Sequence, residues 1–258
     1  MSGVSGINSS YSAYSNYSAA LSSGKKINSA ADGASELAIL EKEDRQVRGT
    51  DAGTENMQDA KSAINIADGA LDGITDQLQR MRELGIKAMN GLLTDDDRQY
   101  IQNEIDQLKQ GIADVAKNAT FNEKHLLDGS EENFNIMSDA NGTTRNMANV
   151  NGTLEALGIA DFDVTSGNFD LGAIDNALKT VSQGRSTLGA QSNAFDHAIS
   201  YNNIVSYNTV ASQSRMGDTE YGEYVSKLQK ENILNTYQVM MQKKRMEDEQ
   251  TKAHNIFS

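Results

Sequence analysis

Residues 57–88 read MQDAKSAINIADGALDGITDQLQRMRELGIKA. Met57, Ile64, Leu71 and Leu78 recur every seven residues, and Ala60, Ala67, Ile74, Met81 and Ala88 form a second row offset by three. That is the a/d seam of a coiled coil, with Gly85 thinning the last a layer. Upstream, Ser29-Ala-Ala-Asp32 has the spacing of a capping box, and the pattern stays helical from there to Asn90. Sixty residues of helix would extend about 90 Å, too long for a compact domain of this size, so the helix needs a partner along its length. Downstream, Gly91-Leu-Leu interrupts the pattern. Thr94-Asp95-Asp96-Asp97 then reads as a new N-terminus, a Thr cap followed by three acids favoured by the helix dipole. The second helix carries Ile101, Leu108 and Val115 at heptad spacing, with Ile105 and Ile112 four residues after the first two. A helical hairpin on the first helix is the expected outcome.

Composition agrees. The 258 residues include no Pro. An average chain has about 5% Pro, and Pro breaks helices by removing a hydrogen bond and clashing with the previous turn. Residues 1–24 carry no charged side chain; they hold nine Ser, two Asn, and Tyr11, Tyr14 and Tyr17 at spacing three. The rings fall near one helical face, and the segment is expected to be either a disordered Ser-rich tail or one that orders only against other chains. Residues 119–170 differ from the rest. Asn-Gly pairs at 141–142 and 151–152 mark turns, and the segments around Phe134-Asn-Ile136 and Phe162-Asp-Val164 are candidate strands. Nine acids against two bases give this stretch −7 of the chain's −13, so a small, solvated β-hairpin unit is expected. Helical periodicity returns with Ile174, Val181, Leu188 and Phe195, and a last helical segment follows Gly217 with Val225, Leu228, Ile233, Leu234, Tyr237, Met240 and Met241. The expected fold is mainly α, a long antiparallel helical rod or coiled-coil bundle with a small β-hairpin unit in the middle of the chain. Its segments are 1–28, 29–118, 119–170, 171–216 and 217–258, with both termini at one end and the β unit at the other.

Little in the sequence suggests chemistry. Zero Cys excludes disulfides, thiolate sites and a Cys nucleophile. The three His, at 125, 197 and 254, lack metal-ligand spacing, and Thr94–Asp97 lacks the further carboxylates of an EF-hand loop. No nucleophile elbow, phosphate loop, zinc-protease motif or dinucleotide fingerprint is present, and His197 has no accompanying nucleophile. An enzyme, a metal and a cofactor are therefore not expected. Net acidity argues against nucleic acid as a partner, and no apolar run approaches the ~20 residues that span a bilayer. Asn118, Asn141 and Asn151 fit the N-x-[ST] pattern, which carries meaning only in a eukaryotic secretory context.

Several motifs in order resemble bacterial flagellin. They are Leu21-Ser-Ser-Gly24 with Ile27-Asn-Ser-Ala30-Ala-Asp32, Leu78-Gln-Arg-Met-Arg-Glu-Leu84, Ile101-Gln-Asn-Glu-Ile105, and Phe121-Asn through Leu126-Leu-Asp-Gly129. On the return limb Leu188-Gly-Ala190, His197, Ser214-Arg-Met-Gly-Asp-Thr219 and Asn232-Ile-Leu234 match as well. The resemblance covers nearly the whole chain and implies a short form without the family's variable outer domains. It implies a filament subunit, secreted through the flagellar export apparatus without a cleaved signal peptide, with that apparatus, a chaperone, a cap protein and other copies of the chain as partners. The N- and C-terminal helices would assemble the filament core, through Tyr11, Tyr14, Tyr17, Leu21, Ile233, Leu234, Tyr237 and Met241. It also implies recognition by Toll-like receptor 5, or protofilament contact, at Gln79, Arg80, Arg82, Glu83, Leu84 and Glu104, with Leu84 as apolar anchor.

Three departures stand beside the resemblance. The segment before Leu21 is shorter than in typical flagellins. Residues 242–252 pack seven charges into eleven positions where the family has an uncharged helix, with Lys243–Glu247 and Lys244–Asp248 spaced to pair. Ala194 replaces a common basic residue. A variant that acts mainly as a secreted receptor ligand without polymerising, or a hook–filament junction protein, are the alternatives.

Overall fold

The computed structural model describes the backbone of residues 2–130, 133–166 and 169–257, and the side chains of 11–130, 133–166 and 169–252. The elements run α1 Ser2–Ser23, α2 Ala30–Ala88, α3 Asp95–Asn118, β1 Thr120–Phe121, β2 Lys124–His125, β3 Asn133–Met137, β4 Thr144–Ala148, α4 Leu154–Leu157, α5 Gly172–Gly217 and α6 Tyr221–Phe257. Two compact units result. One comprises residues 48–206, the other residues 1–47 with 207–258.

In the 48–206 unit the heptad row of α2 is the spine of the core. Met57, Ile64, Leu71, Leu78 and Met81 are buried, interleaved with Ala60, Ala67, Ile74 and Ala88. The α5 row Ile174, Val181, Leu188 and Phe195 joins the same cluster. Ion pairs fix the direction of that helix pair: Arg82 meets Asp175, Arg185 meets Asp68 and Asp72, and Lys61 meets Asp196. Numbers fall along α2 as they rise along α5, so the helices are antiparallel. Hydrogen bonding to Asp68 is the main cause that holds the Arg185 guanidinium above its ordinary pKa, with Asp72 adding to it.

The second helix begins where the acids mark it. Thr94 and Asp97 form a full capping box, and the Thr94 hydroxyl, donating to the Asp97 carboxylate, holds that acid below the usual range. The buried line on α3 is Ile101, Ile105, Ile112 and Ala116, while Leu108 and Val115 are half-buried beside it. A strict seven-residue repeat drifts around a straight helix, so spacings of three and four hold one face better. At Ser29 the box is incomplete. The Asp32 carboxylate accepts from the Asn28 and Ser29 N–H groups, but the backbone leaves helical geometry at Gly33 before the long helix proceeds.

Residues 119–170 are not a solvated appendage. Leu126, Leu127, Met147, Leu157, Ile159, Phe162 and Val164 belong to the main core. Phe162–Val164 is an irregular segment rather than a strand, because it is buried on helices and not paired to a sheet edge. The β3–β4 hairpin runs from Asn133↔Ala148 to Met137↔Thr144, and β1–β2 is joined by Asn122 and Glu123, both at positive φ as a tight hairpin turn requires. A two-stranded hairpin alone is marginal in water. Here helical side-chain amides hold the insert. Asn56 Nδ2 donates to the Met137 carbonyl, Asn202 Nδ2 donates to the Ser138 carbonyl, Gln191 Oε1 accepts from Ala148 N–H, and Gln102 Oε1 accepts from Val164 N–H. Gly53 permits the contact, since a Cβ there would meet the Ser138 carbonyl at 2.5 Å.

Gln102 is 5% exposed, and its acceptor lies 2.9 Å from a buried N–H. Gln102→Leu is therefore expected to lower stability by about 1–3 kcal/mol, the cost of stranding a buried donor. Urea unfolding checks this, and an unchanged midpoint in the Leu variant would count against it.

In the other unit the two ends of the chain meet. Lys25 bridges Asp218, Lys26 N–H donates to the Gly217 carbonyl, and Thr219 N–H donates to the Gly24 carbonyl. The α1 helix lies on α6. Ala20 is buried, Tyr17 packs edge-on against Tyr224 at 5.7 Å, and Lys227 sits over the Tyr224 ring while pairing with Glu223. The N-terminal segment thus orders against its own chain, where the sequence pointed to other chains.

Candidate functional site

Two surfaces carry the residues singled out from the sequence. The first is the exposed face of α2 and α3. Three- and four-residue spacing puts Leu78, Met81 and Leu84 on the buried side and Gln79, Arg80, Arg82 and Glu83 outward. Arg80 donates through Nε and Nη2 to Glu104 on α3, at 2.8 and 2.7 Å, and through Nη1 to Glu83 at 3.1 Å. These bonds, Glu104 first, hold the guanidinium above its ordinary pKa. Arg82 turns the other way and pairs with Asp175 on α5 at 2.7 Å. Leu84 is 3% exposed and part of the core, so no apolar anchor stands on this face at that position. Its place is explained by the leucine's row: it continues the buried α2 face beside Gly85, where a Cβ would meet Leu171 at 2.5 Å. Exposed apolar surface lies further along instead, at Ile86, Met89, Leu92 and Tyr100. The α2–α3 turn interrupts the periodicity there, so a heptad reading passes over them.

The second surface is α6. Ile233, Tyr237 and Met240 are 69%, 61% and 64% exposed, and Leu234, Val239, Met241 and Met246 are exposed as well. A shallow groove of about 500 Å³ runs along Gln229, Asn232, Ile233, Thr236, Tyr237 and Met240. On α1, Tyr11 is exposed, while Tyr14, Tyr17 and Leu21 are half-buried. The charged stretch near the C-terminus stands in solvent, and the pairs Lys243–Glu247 and Lys244–Asp248 are not formed; long side chains on an exposed helix gain little from such pairing. Among the described residues no cluster of His, Asp and Glu is placed to hold a metal ion, and no helix is long and apolar enough to cross a membrane.

Residues 1–132 match the family model for the bacterial flagellin N-terminal helical region, and residues 171–249 match that for the C-terminal helical region. The chain belongs to the bacterial flagellin family. Residues 133–170 are all that separate the two regions, so this flagellin has no variable outer domain. Flagellin from Halalkalibacterium halodurans is 36% identical over 83% of this chain and 81% of its own length. Flagellar filament core protein flaB2 of Brachyspira hyodysenteriae is 35% identical over 86% and 85%. The crystal structure of Bacillus cereus flagellin aligns with a TM-score of 0.51 at 29% identity, covering 57% of this chain and 88% of that one. A putative flagellar hook-associated protein from Vibrio parahaemolyticus aligns with a TM-score of 0.59 at 18% identity, over 72% of this chain and 100% of that one. At that identity the likeness is one of fold alone. Flagellins are structural filament proteins, not enzymes.

Proposed function

We propose that this flagellin polymerises through its terminal helices into an extracellular flagellar filament that serves motility. It reaches that site by the flagellar export apparatus, with a chaperone before export and the cap protein at the growing tip. In this reading residues 1–28 and 217–258 form the filament core, 29–118 and 171–216 the two limbs of the rod, and 119–170 a unit packed on the rod. The observation that carries the reading is the apolar row Ile233, Tyr237 and Met240 on α6, each more than 60% exposed. Contiguous apolar surface of this kind marks an interaction site. Relatives named as filament core proteins point the same way. Purified chain, seeded with filament fragments and viewed by negative-stain microscopy, is expected to yield filaments of flagellar width. Persistent monomer at every concentration and salt tried would overturn the proposal.

A second reading, recognition by Toll-like receptor 5, is favoured by the Arg80–Glu104 pair, a pre-set charge-assisted motif on two adjacent helices. Gln79, Arg82 and Glu83 flank it. Arg80→Ala is expected to weaken receptor binding about tenfold, the size of one charged hydrogen bond. Equal affinity of variant and parent in a monomer binding assay would sink this reading. Leu84→Ala is a poor probe, because it would act through the core.

A further inference from the structure

Asn-Gly pairs stand at 90–91, 141–142 and 151–152. Such pairs share one weakness. The glycine amide nitrogen, after losing its proton to hydroxide, can attack the asparagine Cγ. A new N–Cγ bond forms, the Cγ–Nδ2 bond breaks, and ammonia leaves with a proton from water. Water then opens the cyclic imide at either carbonyl, giving aspartate or isoaspartate. The net change is amide plus water to carboxylate plus ammonium. Three things decide the rate: a free glycine N–H, a side-chain amide able to rotate, and backbone room to close the ring.

The fold separates the three pairs. At 151–152 the Gly152 N–H donates to the Leu127 carbonyl at 2.8 Å, the glycine is buried, and Asn151 Oδ1 accepts from both the Thr153 N–H and its hydroxyl. Nucleophile and target are both held. At 90–91 the Asn90 Oδ1 accepts from Leu92 N–H at 3.1 Å, which fixes the target amide alone. At 141–142 the target amide is free, and the nucleophile is held only within its own exposed turn. The Asn141 side chain is exposed and makes no hydrogen bond among the described residues. Gly142 N–H donates a long 3.4 Å bond to the Asp139 carbonyl and also faces the Asp139 carboxylate, and Gly142, at φ +83°, has nothing within 4 Å of a Cβ position.

We propose that Asn141-Gly142, at the tip of the β3–β4 hairpin, is a site of spontaneous modification in the folded protein, and that its conversion to aspartate and isoaspartate loosens the hairpin from α2 and α5. The second half follows from the loop's surroundings. Asp139 Oδ1 accepts from the Asn141 and Thr143 N–H groups, so a new carboxylate enters beside an existing one. Isoaspartate adds a methylene to the main chain between Ser138 and Thr143, which are bonded N–H to carbonyl at 2.8 Å. That closure holds the Ser138 carbonyl against Gly53 and under the Asn202 amide.

The test is ageing of the full folded chain in mildly alkaline buffer, with peptide mapping by mass spectrometry and isoaspartyl methylation. The Asn141 peptide is expected to convert about tenfold faster than the Asn151 peptide, whose attack needs a buried hydrogen bond to open. Asn90 should fall between them. In denaturant the three rates should approach one another. An Asn151 or Asn90 rate equal to that of Asn141 in the folded chain would overturn the assignment, as would an unchanged Asn141. For the consequence, the aged parent should unfold at lower denaturant than fresh protein. Aged Asn141→Gln, whose larger ring closes far more slowly, should not. Equal loss in both would overturn the proposed loosening.

Discussion

Replacing Phe195 with alanine should destabilise the 48–206 unit by about 3–5 kcal/mol, the range for deleting a buried aromatic ring. The ring is 2% exposed and is the last large side chain of the α5 row that starts at Ile174. Its neighbour Asp196 pairs with Lys61, which sets it at the level of Ala60 and Ile64 on α2. On that stretch of α2 the buried residues are Ala60 and Ala63 beside Met57 and Ile64. Packed cores relax only partly around such a deletion, so a cavity remains. Guanidinium unfolding followed by circular dichroism checks the expectation. Tyr201→Ala, on the same helix but 67% exposed, should change stability by less than about 0.5 kcal/mol. Similar shifts for the two variants would mean that the core does not centre on this row.

The second large effect is on assembly. Ile233→Asp combined with Tyr237→Asp should abolish filaments while leaving the helical signal of the monomer intact. Both side chains are exposed on α6, four residues apart on one face, so the chain loses little by changing them. In a filament they would be covered. Burying each contributes about 1.5–3 kcal/mol, and an unpaired carboxylate in their place costs several more. A loss of about 5 kcal/mol per subunit raises the critical concentration by more than a thousandfold. Pelleting and microscopy, at concentrations where the parent assembles, report the outcome. Filaments from the double variant at the parent's critical concentration would remove α6 from the assembly surface.

Much of this is legible in the sequence. The α2 row and the α5 row were read from seven-residue spacing, because apolar side chains at that period fall on one side of a helix whatever covers them. Thr94 with Asp97 was legible for a similar reason, since a cap is settled within four residues. The α3 face was read less well. Leu108 and Val115 fit a strict heptad, but the structure buries Ile105, Ile112 and Ala116 more deeply. Leu84 shows the same limit at the candidate surface. Its motif marks the helix, yet motif membership does not say which of its residues faces out.

The insert is the least legible part of the sequence. Its acidity and its turns suggested a solvated hairpin, and Phe162–Val164 alternates as a strand would. What holds it is long-range: Gln102, Asn56, Gln191 and Asn202 lie far from the backbone groups they satisfy. A buried donor must find an acceptor somewhere, but sequence spacing does not say where. By itself, then, the sequence determined the long helices, the Thr94 cap and the family, because each rests on periodicity, local hydrogen bonding or ordered motifs. Only the tertiary structure decided which residues remain outside. It buried Leu84, left Ile233 and Tyr237 uncovered and tied down Asn151 but not Asn141. Exposure and hydrogen-bond capture depend on what the rest of the chain brings alongside, and no local pattern contains that.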